Sequence, residues 1–310
     1  MTTYTIPQLT AVSGAMASTD LLETDQGAGS KKATTAQVVL GGATGAGANT
    51  IAIGNGSNVV GTNSIAIGLN ASANATAVNS IAIGPNASAF TLDAVVIGVA
   101  STAEHNADGA IIVGARSTIT APGNSNYSAV FGYKSSSTGY ANLTMGYKST
   151  SSGNGGAVAA GYQANAAGYQ ALAFGSASAT ADGAIAAGYK SVATAKTSTA
   201  IGYIAKASGV NAISIGHSGN ASGTSSLAVG LNSIASASNA VAIGNGAQAT
   251  ASGAVAIGNG ITNNTANTLA LNFGVAGDIM VCTAANIWTR LAKGTNGQVL
   301  TMVAGSPAWA

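Results

Sequence analysis

Asn63-Ser64-Ile65-Ala66-Ile67-Gly68 is a six-residue phrase that returns unchanged at residues 79–84. Shortened or varied forms of the phrase recur along the chain, and each closes on a glycine between Gly54 and Gly258. The step from one closing glycine to the next is usually fourteen residues. A fixed period of short apolar segments is typical of repeat architectures, in which each unit buries its apolar face by stacking on its neighbours.

Apolar residues alternate within the phrase, as in a β-strand. Ile51 and Ile53 would lie on one side of an extended segment and Ala52 on the other. The residue two positions before the closing glycine is Ala in ten of the fifteen repeats. Such a small residue fits either a thin core or a face that a second backbone or subunit approaches closely. The pattern predicts an all-β fold, a parallel β-roll or solenoid with coils of about fourteen residues.

The closing glycines are predicted to be turn residues. A chain that turns sharply after a short strand needs positive φ, which glycine adopts without steric cost. The structural turn glycines assigned on this basis are Gly54, Gly68, Gly84, Gly98, Gly202, Gly216, Gly230, Gly244 and Gly258.

Composition argues against an ordinary soluble enzyme. Only 6% of the 310 residues are charged, and Ala is the commonest residue of the 47% hydrophobic fraction. No run of eighteen apolar residues is present, so no membrane insertion by a helix is expected. The N-terminus lacks the basic start and apolar stretch of a secretory signal, and Cys282 is the single cysteine.

Side chains suited to catalysis are scarce in the repeats. Between Gly109 and Gly277 the only acid is Asp182, whereas carboxylate-pair catalysis needs two acids close together. His105 and His217 lie several coils apart, which argues against a zinc site. We therefore expect no enzyme activity, no metal, no cofactor and no bound nucleic acid.

A stripe of tyrosines is the main departure from the repeat composition. These residues follow the closing glycines directly and are Tyr133, Tyr147, Tyr162, Tyr189 and Tyr203. Ser176 interrupts the stripe, and His217 continues it. Lys134, Lys148 and Lys190 follow three of the tyrosines. Aromatic faces with adjacent cations suit acidic sugars, so the eight residues form a candidate receptor site. The structural alternative is that the tyrosines stiffen an exposed face or fill a subunit seam.

The repeats from Gly41 to Gly258 resemble the heads of YadA-type trimeric autotransporter adhesins. The Ser-Val/Ile-Ala-Ile-Gly phrase of those heads matches residues 64–68 and 80–84. This resemblance implies a left-handed parallel β-roll wound as a homotrimeric fibre. One more coil, ending at Asn272 where the spacing places the next closing position, is also expected.

Both ends of the chain resemble parts of phage tail fibres. Ser18-Thr19-Asp20-Leu21-Leu22 is similar to their N-terminal attachment region, and the ending with Gly277-Asp278-Ile279, Gly297-Gln298-Val299-Leu300 and Trp309 is similar to a tail-fibre module. The expected organisation is an attachment segment at residues 1–40, the β-roll at 41–272 and a C-terminal cap at 273–310.

Three functions remain open from the sequence. The favoured hypothesis is a non-enzymatic fibre or spike protein of a phage virion. It would form a homotrimer, bind another virion protein through its N-terminal segment and contact host surface polysaccharide. The alternatives are the head of a cellular trimeric adhesin, present as a fragment, and a glycan-degrading tail spike, which the scarcity of carboxylates disfavours.

Overall fold

The computed structural model describes residues 37–74, 76–120, 127–272, 274–284 and 287–310. The attachment segment predicted at residues 1–40 lies almost wholly outside the described residues. The chain divides into two compact units, residues 1–134 and 135–310. Throughout the described part, every regular element is a β-strand.

In the first unit, strands of two alternating series follow one another along the chain. The odd-numbered strands are β1 (Gln37–Leu40), β3 (Thr50–Ile53), β5 (Ile65–Ile67), β7 (Ile81–Ile83), β9 (Val95–Ile97), β11 (Ile111–Val113) and β13 (Ala129–Tyr133). The even-numbered strands are β2 (Thr44–Gly45), β4 (Asn58–Val59), β6 (Ser72–Ala73), β8 (Ser88–Ala89), β10 (Thr102–Ala103) and β12 (Thr118–Thr120).

The second unit continues the alternation. Its odd-numbered strands are β15 (Leu143–Tyr147), β17 (Val158–Tyr162), β19 (Leu172–Phe174), β21 (Ile185–Ala187), β23 (Thr199–Ile201), β25 (Ile213–Ile215), β27 (Leu227–Val229), β29 (Val241–Ile243), β31 (Val255–Ile257) and β33 (Leu269–Leu271). Its even-numbered strands are β14 (Ser136–Thr138), β16 (Thr150–Ser151), β18 (Asn165–Ala166), β20 (Ser178–Ala179), β22 (Val192–Ala193), β24 (Lys206–Ala207), β26 (Asn220–Ala221), β28 (Ile234–Ala235), β30 (Gln248–Ala249) and β32 (Thr262–Asn263).

Within each unit, a strand pairs in parallel with the next strand of its own series, one coil later. Equivalent repeat positions are therefore aligned, as with Ala66 beside Ala82 and Ala242 beside Ala256. This confirms the predicted all-β parallel solenoid, with about 16 coils of about 14 residues. The first paired strand begins at Gln37, before residue 41, and the last, β33, ends at Leu271.

The interior of each coil is thin and lined mainly by alanine. In most strands of both series the second residue points inward, as Ala242 and Ala249 do with no exposed surface. Two strands separated by so little space favour small side chains, although Ile112 and Ile119 in the first unit are also fully buried. The alanines thus fill the chain's own core, which is the first of the two interpretations drawn from the sequence.

The outer faces of the two series differ in chemistry. The residues that flank the buried alanine of an odd-numbered strand are mostly Ile, Val or Leu, and Ile97, Ile215 and Ile257 are each about 40% exposed. The outer residue of an even-numbered strand is mostly Ser, Thr, Asn or Gln, as at Ser72 and Gln248. One side of every coil therefore presents apolar groups, and the other presents polar groups.

The closing glycine and the two residues after it form the corner that we call the glycine corner. The nine glycines assigned as turn residues have φ between 117° and 141°. At Gly244 φ is 131°, and a Cβ atom would lie 2.3 Å from the carbonyl oxygen of Gly258 in the next coil. Glycine is required here by its conformation and also by the close approach of successive coils.

The chain after the roll forms two antiparallel hairpins. β34 (Ile279–Ala284) pairs with β35 (Ile287–Leu291), and β36 (Leu300–Val303) pairs with β37 (Ser306–Trp309). The indole N–H of Trp309 donates to the carbonyl oxygen of Ala292 at 2.6 Å, which ties the hairpins together.

Asp278 holds the base of the first hairpin. Its carboxylate accepts hydrogen bonds from the backbone N–H groups of Val275 at 2.7 Å and Lys293 at 2.8 Å, and it pairs with the Arg290 guanidinium. The pKa of Asp278 is lowered from 3.8, first by the N–H of Val275 and then by Lys293 and Arg290. Donors that favour the ionised form lower an acid's pKa in this way.

Candidate functional site

The predicted tyrosines lie at the glycine corners, each directly after its closing glycine. In the second unit Tyr147 ends β15 and Tyr162 ends β17, and the two residues are paired in register. Their ring centroids are 5.2 Å apart and their planes differ by 7°. The parallel register of the strands therefore brings these two side chains into a face-to-face stack.

A second stack contains three rings. Tyr189 and Tyr203 have ring centroids 5.2 Å apart, and Tyr203 and His217 have centroids 4.8 Å apart. The interplanar angles are 18° and 16°. His217 thus continues the column of aromatic rings at the same corner position, as the spacing of the sequence indicates.

Cations lie beside the aromatic rings. The ammonium groups of Lys148 and Lys190 are 5.3 Å and 5.2 Å from the ring centroids of Tyr147 and Tyr189. Both lysines have φ of 53°, a left-handed conformation that non-glycine residues seldom adopt. The corner geometry therefore folds each lysine back toward the tyrosine that precedes it, within the range of a cation–π interaction.

The first unit holds a further tyrosine with two cations. The Lys134 ammonium is 5.3 Å from the ring centroid of Tyr133, and the Arg116 guanidinium carbon is 5.9 Å from it. Arg116 also donates from Nη1 to the Tyr133 hydroxyl at 3.1 Å. Arg116 is not among the residues predicted from the sequence, although it occupies the same corner position as Lys134, one coil earlier.

Stacking changes which parts of the tyrosines a ligand can reach. Two parallel rings about 5 Å apart cover one face of each other, so a sugar cannot stack on those faces. Tyr162 and Tyr189 are different, because the coil between them carries Ser176 in place of an aromatic residue. Tyr162 is 57% exposed and its stacking partner Tyr147 38%, while Tyr189 and its partner Tyr203 are 48% and 46% exposed.

The coil of Ser176 is also one residue short at this corner. β17 and β19 pair with an offset of fourteen residues, but β18 and β20 pair with an offset of thirteen. The residue deleted is the one that elsewhere has left-handed φ, such as Gln163 or Lys190. The Ser176 hydroxyl donates to the carbonyl oxygen of Tyr162 at 2.8 Å, the group that the missing backbone N–H would bind.

Three described carboxylates of the coils accept hydrogen bonds from a neighbouring coil. Asp182 accepts a hydrogen bond from the backbone N–H of Tyr169 at 3.0 Å, and Asp93 accepts one from the side-chain amide of Asn79 at 3.0 Å. Asp108 accepts bonds from the Thr91 hydroxyl and from the backbone N–H of Leu92. These hydrogen bonds link neighbouring coils.

A cleft of about 340 Å³ lies in the first unit, where two coils are longer than usual. Its lining includes Thr76, Phe90, His105 and Asp108. The rings of Phe90 and His105 are stacked with centroids 5.5 Å apart, and the Thr76 hydroxyl donates to the carbonyl oxygen of Phe90 at 2.7 Å. The inserted residues thus pack on the intervening coil.

Neither a metal site nor a membrane-spanning helix is found in the described part of the chain. No group of three or more His, Cys, Asp or Glu side chains is arranged there to hold a metal ion. No helix of the length and hydropathy needed to cross a membrane occurs among the same residues.

Comparison with known protein families matches the repeats to a family model described as the YadA head domain repeat (2 copies). The matched segments are residues 46–71, 75–101, 155–178, 179–205, 193–218, 207–233, 221–247 and 235–260, which together cover just over half of the chain. Tyr162, Tyr189 and Tyr203 lie within them. A search of curated proteins finds no match to the sequence. The repeats, their stacking and this match show that the chain belongs to the YadA head domain repeat family.

Proposed function

We propose that the chain is a non-enzymatic, adhesin-like fibre protein that acts as a homotrimer on a phage virion and contacts host surface polysaccharide. The observation that carries the trimer is the apolar outer face of the odd-numbered strands. Residues such as Ile213, Ile215 and Ile257 stay 38% to 40% exposed in a single chain. Contiguous apolar surface of this kind marks an interaction site.

Two further copies of the chain are the proposed occupants of that face. The thin alanine interior buries little apolar area per coil, so a lone roll gains little stability from its own core. Packing the Ile and Val side chains of three rolls against one another would provide the missing core. The polar outer faces of the even-numbered strands would then remain in water.

The virion location rests on the two ends of the chain. The tail-fibre-like attachment phrase falls in residues 1–36, outside the described part, and the C-terminal module is a pair of hairpins distinct from the coils. In the proposed arrangement the N-terminal segment binds another virion protein. The C-terminal hairpins follow the last coil. In the proposed arrangement they would cover its strand edge, which would otherwise be open to pairing with other chains.

A cellular adhesin is the second candidate, and the family match favours it directly. The matched family model is described as the YadA head domain repeat. In that case the chain would be the head of a longer cell-surface protein. The enzymatic alternative has no comparable support, because Asp93, Asp108 and Asp182 each accept a hydrogen bond that links neighbouring coils.

Location can be tested on purified particles. Antibody against the full chain, detected by immunogold electron microscopy, is expected to label phage particles at the tips or shafts of fibres. Label confined to the surface of uninfected cells would contradict the virion proposal and support the cellular adhesin.

Polysaccharide contact can be tested through the aromatic corner. Replacing Tyr147, Tyr162 and Tyr189 together by Ser is expected to reduce adsorption to host cells strongly while the trimer persists, because exposed residues add little to stability. The matched control replaces Tyr140 and Tyr169, which are 44% and 50% exposed, by Ser. Unchanged adsorption of the triple variant would show that the tyrosines are scaffold, and loss of the trimer would place them in a subunit seam.

A further inference from the structure

The interruption at Ser176 creates a notch between two aromatic faces. Tyr162 lies one coil before Ser176 and Tyr189 one coil after it, at the same corner position. Tyr162 stacks on Tyr147, and Tyr189 stacks on Tyr203, so each ring has a partner on the side away from the notch. None of the described aromatic rings lies against the faces that point toward Ser176.

We propose that this notch binds one pyranose ring of an acidic polysaccharide, held between Tyr162 and Tyr189 with Lys190 beside its acidic group. This inference rests on the proposed function, since it names the sugar-binding position within the aromatic corner. It is narrower than the sequence prediction, in which all five tyrosines of the stripe and the three lysines form the candidate receptor site.

The spacing of the coils sets the size of the notch. Neighbouring parallel strands lie about 4.8 Å apart, so rings two coils apart are separated by about 9.6 Å. A planar ring in van der Waals contact with both tyrosines needs only about 7–8 Å, or two contacts of about 3.5–4.0 Å. A pyranose chair has hydrogens projecting from both faces and is thicker than a planar ring. The gap therefore favours a sugar over a nucleobase.

The coil at the notch lacks the aromatic side chain, and its backbone also differs from that of the neighbouring coils. The corner has lost one residue, and Gly175 has φ of 82° where neighbouring closing glycines have about 125° or more. A Cβ atom on Gly175 would lie 3.4 Å from the Gly188 carbonyl oxygen, whereas one on Gly188 would lie 2.4 Å from that of Gly202. Gly175 is exposed, while Gly161 and Gly188 are half-buried.

The charges at the notch select an acidic sugar. The Lys190 ammonium lies 5.2 Å from the centroid of the Tyr189 ring. Gln163, which is exposed, follows Tyr162 on the other side and can donate or accept hydrogen bonds. The nearest acid in the sequence is Asp182. It accepts a hydrogen bond from the Tyr169 N–H at the other corner of the coil, between an even-numbered strand and the next odd-numbered strand. A carboxylate or sulfate on the bound ring would meet a cation and no competing acid.

The direct test fills the notch. Ser176→Tyr would place a ring between Tyr162 and Tyr189 and continue the column. The matched control is Asn245→Tyr, which adds a tyrosine directly after Gly244 in a coil of normal length, where the neighbouring corner residues are Leu231 and Asn259. Binding of hexasaccharides of galacturonic acid, glucuronic acid and sialic acid to the full chain is measured by calorimetry. Maltohexaose and adenosine monophosphate serve as neutral and planar probes.

We expect at least one acidic hexasaccharide to bind, with maltohexaose and adenosine monophosphate weaker by about tenfold or more. Ser176→Tyr should weaken that binding by about tenfold, because two ring contacts are lost, and Asn245→Tyr should leave it within about twofold. Circular dichroism of both variants checks that the roll is intact. Should Ser176→Tyr fail to fold, Tyr162→Ala and Tyr189→Ala, with Tyr169→Ala as control, provide the same comparison.

Three outcomes would overturn the inference. They are no binding of any acidic hexasaccharide, equal binding by Ser176→Tyr and the parent chain, and tighter binding of adenosine monophosphate, which would indicate a site for planar rings. The proposed function is tested separately by cell adsorption of the triple tyrosine variant. If that variant loses adsorption while Ser176→Tyr retains it, the corner binds host polysaccharide but the notch does not.

Discussion

The outer faces of the odd-numbered and even-numbered strands differ although both belong to the same coils. Both series place a small buried residue inside, as at Ala242 and Ala249. Outside, the odd-numbered series presents Ile and Val that are about 40% exposed, whereas the even-numbered series presents mostly Ser, Thr, Asn and Gln. The interior thus accounts for the buried alanines, while the exposed Ile and Val residues are the basis for the proposed trimer.

The largest expected difference is between a carboxylate placed on the outer face of an odd-numbered strand and one placed on the outer face of an even-numbered strand. Ile257→Asp places a carboxylate on β31 at a position that is 39% exposed in the single chain and buried in the proposed trimer. Three buried like charges would cost several kcal/mol each, so we expect the trimer to dissociate in analytical ultracentrifugation. Gln248→Asp on β30 is the matched control and should remain trimeric. Equal behaviour of the two variants would remove the distinction between the faces.

The corner that joins the two faces is the next most sensitive position. In Gly244→Ala, the alanine would have to adopt φ of 131°, and its Cβ atom would lie 2.3 Å from the Gly258 carbonyl oxygen. Because both effects strain the folded state, we expect the free energy of unfolding to fall by about 3 kcal/mol or more. At Gly260 φ is 65° and no atom lies within 4 Å of the added Cβ, so Gly260→Ala should cost only about 1 kcal/mol. Denaturant unfolding of both variants measures the difference, and similar losses would contradict the close-approach argument.

Substitutions within one strand compare the inner face with the outer face. Ala242→Leu adds volume to an interior with no exposed surface and should cost about 1–3 kcal/mol. Val241→Leu, on the outer face of the same strand, should cost about 1 kcal/mol or less. Thermal unfolding of the two variants decides the matter, and an equal or larger loss for Val241→Leu would mean that the inward and outward assignments are reversed.

The smallest expected effect is on the C-terminal hairpins, where the ionised carboxylate of Asp278 binds Val275, Lys293 and Arg290. Because the pKa of Asp278 is lower in the folded chain than its usual 3.8, its contribution to stability is present above that value and is lost as the pH falls through the lowered pKa. We expect the fluorescence of Trp288 and Trp309 to change below about pH 4 while far-ultraviolet circular dichroism of the roll does not. Asp278→Asn should abolish this transition, and a transition that persists in the variant would assign it to another group.

The period and the alternation were sufficient to predict the coil, because parallel stacking aligns equivalent positions. Ile65, Ala66 and Ile67 fall opposite Ile81, Ala82 and Ile83, as one period requires. The sequence did not determine which side of the strand faces inward, since alanine fits both a thin core and a close contact between subunits. Only the burial of Ala66 and Ala82 distinguishes these interpretations.

The candidate site was predicted in outline but not in its geometry. Residues that recur at one corner position must be near each other, which indicated the column containing Tyr147 and Tyr162. That these rings stack face to face depends on side-chain rotamers, which the period does not specify. The notch at Ser176 had a sequence signal, the thirteen-residue step from Gly175 to Gly188, whose position within the coil became clear only from strand pairing.

The oligomeric state of the full chain in solution tests the central claim most directly. Sedimentation equilibrium at micromolar concentration should give three times the chain mass of 29.5 kDa, because the apolar outer faces of the odd-numbered strands are proposed to pack against two further copies. A stable, folded monomer at that concentration would contradict the account, since the Ile and Val faces would then remain in water without a partner.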